Sequence, residues 1–135
     1  MSYLVEVAIS ILKRKGVDSI KNILIDKANK HGCEYYYFDY ELSGRKKRIE
    51  KTNIIMTFML EQNDDNMVKF IKCIKSLSGV YLETIGLDDG IYTLMYASKK
   101  YLSIMNGNFV KKYIKDKKEG KLFKQDSIIY KAIRS

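Results

Sequence analysis

The chain has 135 residues, with 25 Lys and Arg residues against 16 Asp and Glu residues, so its formal net charge is +9 at pH 7. This length corresponds to one ordinary domain, and we expect a single domain over residues 1–135. A hydrophobic share of 46% and a charged share of 30% are typical of a globular protein and exclude an intrinsically disordered chain. No apolar run approaches the roughly 20 residues of a membrane span, and the N-terminal residues lack the basic start of a signal peptide. We therefore expect a cytoplasmic protein without a membrane partner.

Helical spacing of apolar residues predicts that residues 1–32 form a pair of helices. Ser2 is a suitable N-cap for a first helix that ends near Gly16. Asp18 is a suitable N-cap for a second helix that ends near Gly32. The predicted apolar stripes contain Leu4, Ala8, Ile11 and Leu12 in the first helix and Ile20, Ile23, Leu24 and Ala28 in the second. We expect an N-terminal helical hairpin.

Residues 33–97 have the pattern of a sheet with one helix. Side chains alternate with a period of two over residues 33–42, which predicts a strand, and residues 54–60 are apolar on both faces, which predicts a central strand. The other predicted elements are a helix over residues 64–79 and two strands over residues 80–87 and 91–97, joined by a turn at Asp88, Asp89 and Gly90. The order strand, helix, strand, strand is typical of a split β-α-β-β unit. We expect a four-stranded, largely antiparallel sheet.

Residues 98–135 are predicted to form a basic helical segment, which completes an α+β fold. Residues 1–98 hold 14 basic and 13 acidic side chains, a net charge of +1, whereas residues 99–135 hold 11 basic and 3 acidic side chains, a net charge of +8. Such an asymmetry indicates an anionic partner. A GC-poor genome, such as that of a virus or mobile element, is an alternative source of the lysines, but it does not explain why the excess is confined to one end.

The leading hypothesis is a non-enzymatic DNA- or RNA-binding protein that contacts mainly the nucleic-acid backbone. Lysine provides point charges without the bidentate fork of arginine, which favours backbone contacts over base reading. The aromatic residues Tyr101, Phe109, Tyr113 and Phe123 are interleaved with the lysines, as expected if rings stack on bases, although core packing is their more common role. The candidate nucleic-acid-binding residues are Arg45, Lys46, Lys47, Arg48, Lys99, Lys100, Lys111, Lys112, Lys115, Lys117, Lys118, Lys121 and Lys124. Among these, Lys111, Lys112, Lys115, Lys117 and Lys118 are expected to form one exposed face.

The alternative hypothesis is a small protein-binding inhibitor or adaptor, acting on a partner protein or as a homodimer. The chain has 11 tyrosines, and four of them lie within residues 35–40. Tyrosine supplies a large contact area at low entropic cost, so a strand rich in tyrosine is also typical of a protein interface. Tyr35, Tyr37 and Tyr40 are the interface candidates.

A metal-dependent nuclease is the third hypothesis, carried by Glu6, Asp39 and Glu41. Carboxylates of this kind can hold Mg²⁺, but Glu41 is followed by Leu42 and Ser43 and lacks the lysine spacing of a common nuclease strand. Cys33 and Cys73 are isolated and are expected to be reduced thiols. No phosphate-cradling or hydrolase motif is present. We therefore expect no catalytic residues, no metal and no cofactor.

Overall fold

The computed structural model describes residues 3–12, 16–30, 34–41 and 53–135, and for residues 17, 34–41, 53 and 54 it describes the backbone only. The strands are β1 (Tyr3–Leu12), β2 (Glu34–Glu41), β3 (Asn53–Gln62), β4 (Val80–Asp88) and β5 (Tyr92–Ala97). The helices are α1 (Val17–Lys30), α2 (Asp64–Ser76), α3 (Lys99–Ile104), α4 (Gly107–Lys118) and α5 (Ile128–Arg134). The predicted α+β class is confirmed. None of the helices in the described ranges has the length and apolar character needed to cross a lipid bilayer.

The five strands form one sheet in the order β2-β3-β1-β4-β5, and every neighbouring pair is antiparallel. The first six elements follow the order β1-α1-β2-β3-α2-β4. This order, with β1 and β3 in the centre, is the ferredoxin-like arrangement. β5 extends the sheet beyond β4. The predicted strand-helix-strand-strand unit over residues 53–97 is confirmed, and β1 fills the gap between β3 and β4.

The prediction of a helix at the N-terminus is wrong, because residues 3–12 form the central strand of the sheet. A helical stripe could be drawn through residues 3–12 because they are apolar at odd and even positions alike. Such a run is compatible with the helical period of 3.6 residues and with a strand that is buried on both faces. Residues Val5, Val7, Ile9 and Ile11 are buried on one face, while Ala8 and Ser10 are buried on the other. β-branched side chains favour a strand covered on both faces. The sheet therefore has five strands and not four, and the N-terminal helical hairpin is replaced by a strand followed by α1.

The hydrophobic core lies between one face of the sheet and three helices. It combines the odd-numbered residues of β1 with Met56, Phe58 and Leu60 of β3 and with apolar residues of α1, α2 and α5. The rings of Phe58 and Phe70 meet edge to face at 6.1 Å between centroids. The N-cap of α2 is Asn63, whose side-chain oxygen accepts the Asn66 N–H at 2.9 Å.

The C-terminal segment is helical, as predicted, and it packs on the rest of the fold. α5 contributes Ile129, Ala132 and Ile133 to the core beside α2. Lys75 on α2 donates from its Nζ to the carbonyls of Ala132 and Ile133 and of Ser135, so it caps the C-terminal end of α5. The C-terminal end of the basic segment is thus fastened to α2 on the helical side of the sheet. The single domain over residues 1–135 stays a prediction.

Candidate nucleic-acid interface and acidic cleft

Asp116 positions α4, although the sequence analysis did not single it out. Its side chain is fully buried, and its Oδ2 accepts the backbone N–H of Leu94 in β5 at 2.9 Å. The same oxygen lies 3.2 Å from Nζ of Lys112. The Asp116 carbonyl accepts the Lys121 N–H at 2.9 Å. The available signal in the sequence was that Asp116 is the one acid in a lysine-rich amphipathic helix. A carboxylate buried in a fold requires hydrogen-bond donors, so such an acid can hold a helix against its neighbour.

The outward face of α4 carries Lys111, Lys115 and Lys118, which are exposed and spaced i, i+4, i+7 along one row. We call these three residues the lysine row. Ile114 lies beside them and is 46% exposed. The prediction that five lysines form one face is wrong for two of them. Lys112 is bound by Asp116, and Lys117 is exposed but lies about 100° around the helix from Lys118.

The other predicted lysines of the C-terminal segment lie outside α4 or on its other faces. Lys99 and Lys100 are exposed in the first turn of α3, and Lys124 is exposed before α5. Lys121 pairs with Glu119 at 2.9 Å, which raises the pKa of Lys121 and lowers that of Glu119. Within the described residues, no ion pair joins an acid to any member of the lysine row or to Lys99, Lys100, Lys117 or Lys124.

The four rings interleaved with these lysines pack within the C-terminal segment or between it and the rest of the fold. Tyr101 and Phe109 contact each other edge to face at 5.5 Å between centroids. Burial raises the pKa of the Tyr113 hydroxyl, which also makes a backbone hydrogen bond with Ala97. Phe123 packs against the core. All four side chains are only partly exposed, so their main role is packing within the protein.

The candidate tyrosines lie on β2, an outer strand of the sheet. In the backbone register Tyr35 pairs with Leu60, Tyr37 with Met59 and Tyr40 with Met56. A bulge between Tyr35 and Tyr37 places them opposite consecutive residues of β3, so the regular backbone pairing of β2 with β3 is interrupted there. The side chains of these tyrosines lie outside the described part of the structure. The basic turn residues Arg45, Lys46, Lys47 and Arg48 and the thiol of Cys33 also lie outside it.

The register separates the three acids of the nuclease hypothesis. Glu6 lies on β1, whereas Asp39 and Glu41 lie on β2, with β3 between them. Two strand spacings put the β1 and β2 backbones roughly 10 Å apart. Glu6 instead accepts the Tyr92 hydroxyl at 3.4 Å, and burial raises the pKa of its carboxyl. Among the residues whose side chains are described, no three His, Cys, Asp or Glu side chains are grouped closely enough to hold a metal ion.

A cleft of about 490 Å³ lies beside β4 and has an acid in its wall. This acid is Glu83, which is 3% exposed and was also missed by the sequence analysis. Burial raises the pKa of the Glu83 carboxyl to about 7, although nearby Lys100 and hydrogen bonds from Ser98 and Ser10 lower it. The signal in the sequence was a single acid within the apolar run of residues 80–87.

The cleft is formed where the pairing of β4 with β5 ends. β5 pairs with β4 from Thr84 to Asp88, and the chain then leaves the sheet at Ser98. The Ser98 N–H donates to the Glu83 carbonyl at 2.8 Å, and its hydroxyl lies 3.4 Å from Oε2 of Glu83. The remaining wall is supplied by Ser10, Lys75, Val80, Tyr81, Leu82, Tyr96, Lys100 and Ile133.

Comparisons with family models and with curated proteins find no match for this chain. The ferredoxin-like arrangement by itself specifies no activity, because one fold hosts many functions. Function must therefore be argued from the lysine row, the outer strand β2 and the cleft.

Proposed function

We propose that the protein binds nucleic acid without catalysing a reaction, mainly through contacts between lysines and phosphates, as a cytoplasmic regulator of viral or mobile-element origin. The observation that carries this proposal is the way in which Asp116 docks α4. Because Asp116 holds the inner side of α4 against β5, the lysine row on the opposite side of α4 faces outward. Of the three acids in residues 99–135, Asp116 is buried, so only Glu119 and Asp126 offset the exposed lysines there.

The chemistry of the surface supports backbone contacts rather than sequence reading. The exposed cations on α3 and α4 are all lysines, and an ammonium group attracts phosphate without a fixed geometry. Each neutralised phosphate releases counterions, with a slope of log K against log salt of about −0.9 per contact on a duplex. Contacts by the lysine row together with Lys99 and Lys100 therefore imply a slope of roughly −4 to −5.

The test compares two triple variants that remove the same charge from different surfaces. Lys111→Gln, Lys115→Gln and Lys118→Gln together neutralise the lysine row. The control neutralises three exposed lysines on the helical side of the sheet, Lys69, Lys72 and Lys131. Both variants lower the formal net charge by three.

Fluorescence anisotropy with a labelled 20-base-pair duplex and a 20-nucleotide single strand, measured at several salt concentrations, gives the affinity and the slope. We expect the lysine-row variant to bind duplex at least tenfold more weakly and to flatten its slope by about 2 to 3. The control is expected to change affinity less than threefold. Equal losses in the two variants, or unchanged binding in the first, would refute the proposed surface.

A second candidate function is protein binding through β2, as an adaptor, an inhibitor or a homodimer. The observation that favours it is the outer position of β2, because an outer strand offers backbone groups to a further strand. Size-exclusion chromatography with multi-angle light scattering, after nuclease treatment and a high-salt wash, tests self-association. A dimer mass that reverts to a monomer with Asp39→Pro supports strand pairing at β2. A monomer mass at all concentrations excludes the homodimer.

A further inference from the structure

Glu83 has a buried carboxyl group that no cation of the described part of the chain contacts. Within the described residues no ion pair within 4.0 Å involves it, and Lys100 acts on it only through longer-range attraction. The Ser98 hydroxyl is 3.4 Å away and also accepts the Tyr101 N–H at 3.0 Å as the N-cap of α3. A carboxylate can accept about four hydrogen bonds. The hydroxyls of Ser98 and Ser10 supply two, so acceptor positions on Glu83 are left over. A desolvated carboxylate in this state gains most from additional donors.

The surroundings of Glu83 fit a planar, polar ligand that carries a phosphate. Tyr81, which is 50% exposed, and Tyr96 line the same cleft and offer aromatic rings. Lys100 lies at the cleft and belongs to the exposed lysines that the proposed function assigns to phosphate contacts. A volume of about 490 Å³ lies within the range of pockets that hold small ligands, about 300–1,000 Å³.

We propose that this cleft holds a guanine base of the bound nucleic acid, with the Glu83 carboxylate accepting the two adjacent N–H donors of the base edge. This inference rests on the proposed function and deepens it, since it adds one base-selective contact to a backbone-binding surface. Proteins commonly read unpaired bases in this way, by stacking on aromatic rings and by hydrogen bonds to the Watson–Crick edge. The tyrosines beside the carboxylate supply the stacking partner.

The donor pattern of the bases explains why guanine is preferred. Guanine presents N1–H and N2–H side by side, whereas adenine and cytosine each present one donor beside an acceptor, and uracil presents one donor between two acceptors. An ionised carboxylate only accepts hydrogen bonds, so it matches guanine. A protonated carboxyl group donates one bond and accepts another, so it matches the adjacent donor and acceptor that every one of the four bases presents.

The base preference therefore depends on the protonation state of Glu83 and on pH. Burial raises the pKa of Glu83 to about 7, so the carboxyl is mostly ionised at pH 8 and mostly protonated at pH 6. The other titratable groups that line the same cleft are Lys100 from α3, Lys75 from α2, Tyr81 from β4 and Tyr96 from β5. The positive charge of Lys100 favours the ionised form.

The experiment uses the full chain and four labelled 9-nucleotide RNAs that differ only at the central base, with uracil at all other positions. At pH 8 we expect the RNA with guanine to bind about tenfold more tightly than the other three, and at pH 6 we expect this advantage to fall below threefold. Glu83→Gln presents one donor and one acceptor and is expected to lose the guanine preference at both pH values. Its affinity for the all-uracil RNA is expected to stay within about twofold.

One control and one further variant separate the base contact from charge and from unfolding. Glu119→Gln removes one exposed acid of the same type and is expected to keep the guanine preference. Tyr81→Leu, at a half-exposed position, is expected to reduce the preference several-fold, and it replaces Glu83→Gln if thermal unfolding by circular dichroism shows that the latter is not folded.

The possible results distinguish the two proposals. Equal affinity for all four RNAs at pH 8 overturns the guanine cleft and leaves backbone binding intact. Absence of binding to any RNA or duplex overturns the proposed function. In that case, NMR titration with the four nucleoside monophosphates still tests the cleft, because resonance changes at Glu83, Tyr81 and Ser98 with guanosine monophosphate alone would support it, and their absence would overturn it.

Discussion

Replacement of Asp116 by Ala tests whether one buried carboxylate holds α4 in place. The substitution leaves the Leu94 N–H without its acceptor, and an unpaired buried donor costs about 1–3 kcal/mol. Lys112 also loses its partner at 3.2 Å, but its side chain is 36% exposed and solvent screens the pair, so this contact adds less than about 1 kcal/mol. We expect the free energy of unfolding to fall by about 1–4 kcal/mol, equivalent to a fall in Tm of roughly 3–16 °C for a chain of this size.

The assay is urea unfolding followed by far-ultraviolet circular dichroism, with hydrogen exchange of the α4 amides to locate the effect. Asp126→Ala removes an exposed acid from the same segment and is expected to change stability by less than about 0.5 kcal/mol. Asp116→Asn keeps an acceptor for the Leu94 N–H and should lose about half as much as Asp116→Ala. An Asp116→Ala variant as stable as Asp126→Ala, with unchanged exchange in α4, would refute the docking role.

The remaining predictions concern pH and close packing. Because the folded pKa of Glu83 is about 7 against an ordinary 4.5, the folded state binds the proton more tightly, so stability falls as pH rises from about 5 to 7. This group alone contributes about 2 kcal/mol of that fall, and Glu83→Gln should flatten the profile measured by urea unfolding. Gly86→Ala should destabilise the fold by about 1–3 kcal/mol in the same assay, since the new Cβ meets the Tyr92 ring, and no loss would show that this ring moves freely.

The N-terminal segment shows where pattern reasoning fails for this chain. Apolar residues at both odd and even positions are compatible with a helical stripe and with a strand covered on both faces. Only pairing with β3 on one side and β4 on the other decides that residues 3–12 form a strand. The split unit predicted over residues 53–97 already required a strand between β3 and β4, and the N-terminal segment was available to fill it.

For the candidate site too, some features could be predicted from the sequence and others could not. The position of the lysines could be predicted, because the excess of charge in residues 99–135 is a property of composition alone. The number of lysines that share one surface could not be predicted. Lys117 lies on another side of the helix, and the buried carboxylate of Asp116 binds Lys112. Glu83 and Asp116 were missed because a charged residue is read as solvated until its neighbours are known.

By itself the sequence determined the α+β class, α1, α2, the four later strands, the helical C-terminal segment and its charge. These features follow from local periodicity, from capping residues and from composition, all of which act over a few neighbouring positions. Tertiary structure alone decided that β1 is central, that β2 is an outer strand, which lysines face outward and which acids are buried. These properties depend on contacts between residues distant in the chain, such as Asp116 with Leu94 and Glu83 with Ser10, and no local pattern specifies such contacts.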